Sequence, residues 1–147
     1  MMESRYGDLL QRIKLQEGGL VEVWSLEASY RGWLQVISGL SDAGYEMSLT
    51  RNGVEIPISV DSDVFSEEID DLYNLQVLVG GQIWTTQFSS PDVIDFQGSP
   101  DLIRKDEDID SIVKFMEDVA SFARRPVIFI PETLDAEGVR RYLTVEY

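Results

Sequence analysis

The dipeptide Asn52-Gly53 sits inside an alternating stretch, Tyr45 to Val60, and does more than any other feature to restrict how the chain folds. Both residues tolerate the positive φ that a two-residue type I′ hairpin turn demands. Counting outward from the turn pairs Leu49 with Ile56, Met47 with Ile58 and Tyr45 with Val60. These apolar side chains then share one face, and Glu46, Ser48, Thr50, Glu55 and Ser59 take the other, because side chains alternate along a strand. Pro57, opposite Ser48, has no N–H to give to a ladder, so the 54–60 strand is expected at a sheet edge or bulged there. Such an edge is also open to pairing with a second copy of the chain.

A second hairpin is expected from Leu75 to Phe88 around Gly80-Gly81, pairing Val77 with Trp84 on one face and Leu78 with Ile83 on the other. Apolar residues on both faces suit a central position in the sheet. Leu20 to Leu26, Trp33 to Ile37, Val127 to Ile130 and Tyr142 to Tyr147 read as further strands. Residues 3–16 carry an apolar stripe (Tyr6, Leu9, Leu10, Ile13, with Leu15 beside it) that ends at Gly18-Gly19, which predicts a helix. The longest helix is predicted from about Glu107 to Arg124, where Ile109, Ile112, Val113, Met116, Val119, Ala120 and Ala123 share a face. Acids crowd its start and Arg124-Arg125-Pro126 close it, as the helix dipole and the missing proline N–H favour. The echoing segments Ser90-Pro91-Asp92 and Ser99-Pro100-Asp101 read as turns. Strands and helices are segregated along the chain, so the expected class is α+β: an antiparallel sheet built from hairpins, packed against an N-terminal helix and one long helix of the C-terminal half.

A length of 147 residues suits a single acidic domain spanning 1–147. With no cysteine and no histidine, thiol nucleophiles, thiolate metal sites and the commonest general base are absent, and any metal would need oxygen ligands. No cofactor is expected. The start lacks the pattern of a secretory leader and no apolar run reaches the ~20 residues of a membrane helix, so a cytoplasmic location without membrane association is the expectation.

Several motif-like patterns dissolve on inspection. Asp106, Asp108, Asp110 and Glu117 fall at four calcium-loop positions, but Ser111 stands where the sharp turn needs Gly, and Ile109 and Ile112 complete the helical stripe. Acids capping a helix explain the same residues. Ser111-Ile112-Val113-Lys114 matches a serine–lysine acylase pattern in form alone, since its companion motifs are missing. Gly18-Gly19 and Gly80-Gly81 lack the spacing of a phosphate loop. Among carboxylate pairs, Asp92 and Asp95 are the ones to examine for acid–base chemistry, and they support only the alternative of a small hydrolase-like enzyme. Catalytic residues are otherwise not assigned.

Charge carries the remaining functional signal. The chain has a net charge of −15, and the window from Asn52 to Ile103 holds ten acids and not one Lys or Arg. Such a field repels nucleic acid and attracts basic surfaces. The run Asp61, Asp63, Glu67, Glu68, Asp70, Asp71 leads into Tyr73, with Trp84 on the neighbouring hairpin. Aromatic anchors among acids suit capture of a basic protein, rings supplying buried contact and charges supplying on-rate. These eight residues are the predicted partner-binding site. The predicted function is a non-catalytic binding protein that masks a basic partner, of the kind an immunity or antitoxin protein presents to a cationic toxin. The third alternative is a structural domain that oligomerises through the edge strand.

Overall fold

A computed structural model describes residues 4–16, 18–59, 62–65, 70–132 and 138–147. Among the described residues, three α-helices, α1 (Gly7–Lys14), α2 (Tyr30–Asp42) and α3 (Asp106–Ala123), accompany eight strands: β1 (Val21–Ser25), β2 (Met47–Arg51), β3 (Val54–Ile56), β4 (Tyr73–Val79), β5 (Gln82–Thr86), β6 (Ile94–Gly98), β7 (Val127–Pro131) and β8 (Leu143–Val145). The strands form one sheet in the order β3-β2-β4-β5-β6-β1-β7-β8, and every neighbouring pair is antiparallel. The fold is α+β, with the N-terminal and long C-terminal-half helices where the apolar periodicity puts them. No described helix is long and apolar enough to cross a membrane.

The first hairpin turns at Asn52 (φ 53°) and Gly53 (φ 82°), both in the left-handed region, and pairs Leu49 with Ile56. Its ladder stops at Ile56, one residue before Pro57, so the expected Met47–Ile58 pair does not form. Met47 instead pairs with Val77 of β4 on the other side of β2. Val60, the expected partner of Tyr45, lies outside the described residues. β3 is an edge strand, as a proline without a donor requires. The second hairpin has the expected Val77–Trp84 and Leu78–Ile83 pairs and lies well inside the sheet.

Two elements differ from expectation. Trp33–Ile37 is helical, within α2. Five bulky residues in a row resemble a strand, but the longer window places Trp33, Val36, Ile37 and Leu40 on one buried helical face. Ser29 fixes the start by accepting a hydrogen bond from the Gly32 N–H at 3.0 Å. The second difference is β6, hidden between the two Ser-Pro turns. It is a short half-buried strand with Ile94, Phe96 and Gly98 inward and Asp95 and Gln97 outward. Gly98 packs closely there, since a Cβ would sit 3.0 Å from the Trp84 ring. The second Ser-Pro segment is a 3-10 turn, Pro100–Leu102, capped by Ser99.

All three helices lie over one face of the sheet. That layer encloses the main core, in which Trp33, Trp84, Phe96, Phe115, Phe129, Ile109 and Ile112 are fully buried. Phe122 of α3 stacks so closely on Gly39 of α2 that any side chain there would collide with its ring. The acids at the start of α3 cap and tether, as their helical reading implies. Asp108 accepts the Arg104 and Lys105 N–H groups at 2.9 and 3.1 Å, and Asp106 accepts the Ser4 hydroxyl and the Arg5 N–H. Among the described residues no helix lies over the opposite face, part of which is covered by Leu26 and Val139.

Candidate functional site

Of the eight predicted partner-binding residues, only Asp70, Asp71, Tyr73 and Trp84 have described side chains. Asp61, Glu67 and Glu68 lie outside the described residues, and of Asp63 only the backbone is described, in the 3-10 turn Ser62–Phe65. Asp70 is exposed. Asp71 is engaged internally: Asn52 Nδ2 donates to it at 2.8 Å, and Arg51 donates through Nε at 2.8 Å and also through the guanidinium terminus. The Asn52 hydrogen bond and then that of Arg51 hold its carboxyl below the usual range. The Arg51 guanidinium also sits 5.8 Å from the centre of the Tyr73 ring, which packs half-buried against the core.

Trp84 corrects the prediction outright. It is 0% exposed, between Phe115 and Phe129, and its indole N–H donates to Gln82 Oε1 at 3.0 Å. A ring so enclosed cannot anchor a partner. The alternation of β5 points Trp84 to the helix layer and Ile83 and Thr85 to the open side.

Strand register shows which residues share the face turned away from the helices. Directly opposed residues in antiparallel strands point the same way, so the open side presents Glu55; Ser48 and Thr50; Asn74, Gln76 and Leu78; Ile83 and Thr85; Asp95 and Gln97; Glu22 and Trp24; Ile128 and Ile130; and Thr144. Three of these are acids and none is Lys or Arg. One row runs across six strands as Ser48, Gln76, Thr85, Gln97, Glu22 and Ile130. Leu78 and Ile83 form an exposed apolar pair, at 39% and 43%.

At the β6–β1 seam, four side chains meet as two cross-strand pairs, Glu22 with Gln97 and Trp24 with Asp95. Glu22 is 3% exposed, and its Oε1 accepts from Gln97 Nε2 at 3.0 Å. Its Oε2, the Trp24 indole N–H and Asp95 Oδ1 are buried without a hydrogen-bond partner. Burial pushes the Glu22 carboxyl up, and the neighbouring charges of Asp95 and Glu132 push it further. The Gln97 hydrogen bond and then the nearby Trp24 indole favour the Glu22 carboxylate, although the Trp24 N–H makes no hydrogen bond of normal geometry. Burial likewise raises Asp95. Neither carboxylate has an ion-pair partner among the described residues. Beside them Ile128, Ile130, Leu26 and Val139 form a small second apolar cluster with Trp24.

No three of the described acids converge closely enough to hold a metal ion. Asp92, paired with Asp95 in the sequence reading, is exposed in the turn before β6 and does not join the seam. Glu22, Trp24 and Gln97 were missed by sequence reasoning. Their signal is the alternation Val21-Glu22-Val23-Trp24, which sets an acid and an indole on the face opposite two core valines. A cleft of about 670 Å³ opens elsewhere, between α1 and the Pro100–Leu102 turn, with Lys14 and Arg104 on its walls.

No family model matches the chain, and neither a curated protein nor a solved structure is significantly similar to it.

Proposed function

We propose that the chain is a non-catalytic binding protein that masks a basic partner through the helix-free face of its sheet. An immunity- or antitoxin-type inhibitor of a cationic toxin is the most concrete form of this role. One observation carries the reading: that face bears acids, amides and exposed apolar side chains, and no Lys or Arg among its strand positions. An acidic, partly apolar surface attracts a cationic one at long range and retains it by burying Leu78 and Ile83. The enzyme alternative draws on the raised carboxyls of Glu22 and Asp95. Against it, the cleft beside α1 does not include them, and no three described acids converge.

The test is capture of the partner from native lysate at low salt, followed by association rates across an ionic-strength series. The expected partner is basic, and its association slows by about tenfold or more as salt rises from low to physiological strength. Leu78→Lys/Ile83→Lys then weakens binding while leaving the fold intact. A neutral or acidic partner, or salt-insensitive association, refutes the reading.

A further inference from the structure

The seam between β6 and β1 has a specific unmet need. Two buried carboxylate oxygens, Glu22 Oε2 and Asp95 Oδ1, lack donors, and both side chains project from the same face. A native fold rarely leaves such atoms unpaired, because each loses its hydration and gains nothing in return. Nothing in the described protein neutralises the two charges. The Trp24 indole borders the same spot, directly across from Asp95.

We propose that Glu22, Asp95 and Trp24 form a receptor for one arginine side chain of the basic partner. A guanidinium is the group that answers all three features at once. Its planar fork of donors can reach two separate carboxylates, it stays charged at every physiological pH, and it stacks on an indole face. A lysine ammonium offers a point charge and no stacking plane. Asp95 retains access to the surface, and Glu22 lies deeper, so the guanidinium meets Asp95 first and Glu22 behind it. Trp24 is only partly buried, and its ring must move aside for the guanidinium to reach Glu22. Gln97 already occupies Glu22 Oε1, which fixes that carboxylate and leaves Oε2 for the ligand. This inference rests on the open face being the partner-binding surface, and it names the residue type recognised there.

The experiment uses the intact chain and two small probes, argininamide and citrullinamide, whose side chain is the uncharged isostere, followed by NMR. The three indole N–H signals make it selective. Those of Trp33 and Trp84 are buried and hydrogen-bonded, to Ser90 O and Gln82 Oε1, and only that of Trp24 is unpaired. Argininamide is expected to shift the Trp24 indole and Gln97 side-chain amide signals saturably at millimolar concentration, with citrullinamide about tenfold weaker or silent. Glu22→Gln/Asp95→Asn, which keeps size and shape, abolishes the response while the signals of Trp33 and Trp84 stay in place and report an intact core. Equal responses to the two probes, or no response at the seam, overturn the receptor. Shifts confined to residues 61–71 also overturn it, but leave the masking of a basic partner standing. If the captured partner binds the double variant with unchanged affinity and unchanged salt dependence, the receptor fails and the masking role survives.

Discussion

The two faces of the sheet handle the same kinds of residue in opposite ways. On the helix-covered face, polar groups that enter the core are matched. Trp33 and Trp84 donate their indole protons at 3.0 Å each, Gln82 Nε2 donates to Asp108 O at 2.9 Å, and the Thr86 hydroxyl accepts the Phe88 N–H at 3.1 Å. On the open face, Trp24, Glu22 and Asp95 hold the buried side-chain atoms that lack a partner among the described residues. One face is therefore complete as folded. The other is incomplete, and an incomplete buried polar group is a stability liability that a binding partner can remove.

That contrast can be broken first with the tryptophans. Trp84→Ala should destabilise by about 3–5 kcal/mol, since it removes a fully buried ring packed on Phe115 and Phe129. Trp24→Ala should cost about 1–2 kcal/mol, because the ring is only partly buried and its N–H has no bond to lose. Chemical denaturation of the two variants checks the gap, and equal losses would erase the distinction between the faces.

Proton linkage sharpens the comparison next. Glu22 and Asp95 have carboxyls raised by burial, so between the ordinary carboxylate range and their folded values the native state holds protons the unfolded chain has released. Their contribution makes stability fall as pH rises through that window, and the penalty persists above it. Asp106 has the opposite sign. The Ser4 hydroxyl and then the Arg5 N–H hold it below the usual range, so its stabilisation is present above the unfolded value and is lost as pH falls through the folded one. Denaturation midpoints across the acidic range should show Asp106→Asn removing the low-pH loss and Glu22→Gln removing the loss at higher pH.

The smallest effect belongs to Arg51. Its pair with Asp71 is surface-exposed on the arginine side, so Arg51→Ala should lower Tm by only about 2 °C or less. A larger drop would mean that the predicted acidic segment is held in place by that arginine.

Most of the sheet was legible because local rules agreed with tertiary packing. Asn52-Gly53 set one register, the alternation in 75–86 set another, and the apolar stripe of α3 was unambiguous. Trp33–Ile37 misled because five residues are too short to separate a buried strand from a helix, and β6 was masked by its flanking prolines. The site was less legible than the fold. Net charge identified an acid-rich stretch of chain, but charge in sequence is one-dimensional, and only strand pairing brings Glu22 beside Gln97 and Asp95 across more than seventy positions. Trp84 looked like an anchor because a strand's two faces cannot be ranked by burial until the layer covering one of them is known.

The most direct measurement is the unfolding free energy of Glu22→Gln/Asp95→Asn at pH 7 beside that of the unaltered protein. Removing two unpaired charges from a buried seam should stabilise the free protein, by about 0.5–2 kcal/mol, even as it weakens capture of the basic partner. A double variant less stable than the original would show that the seam serves the fold, and would contradict the account.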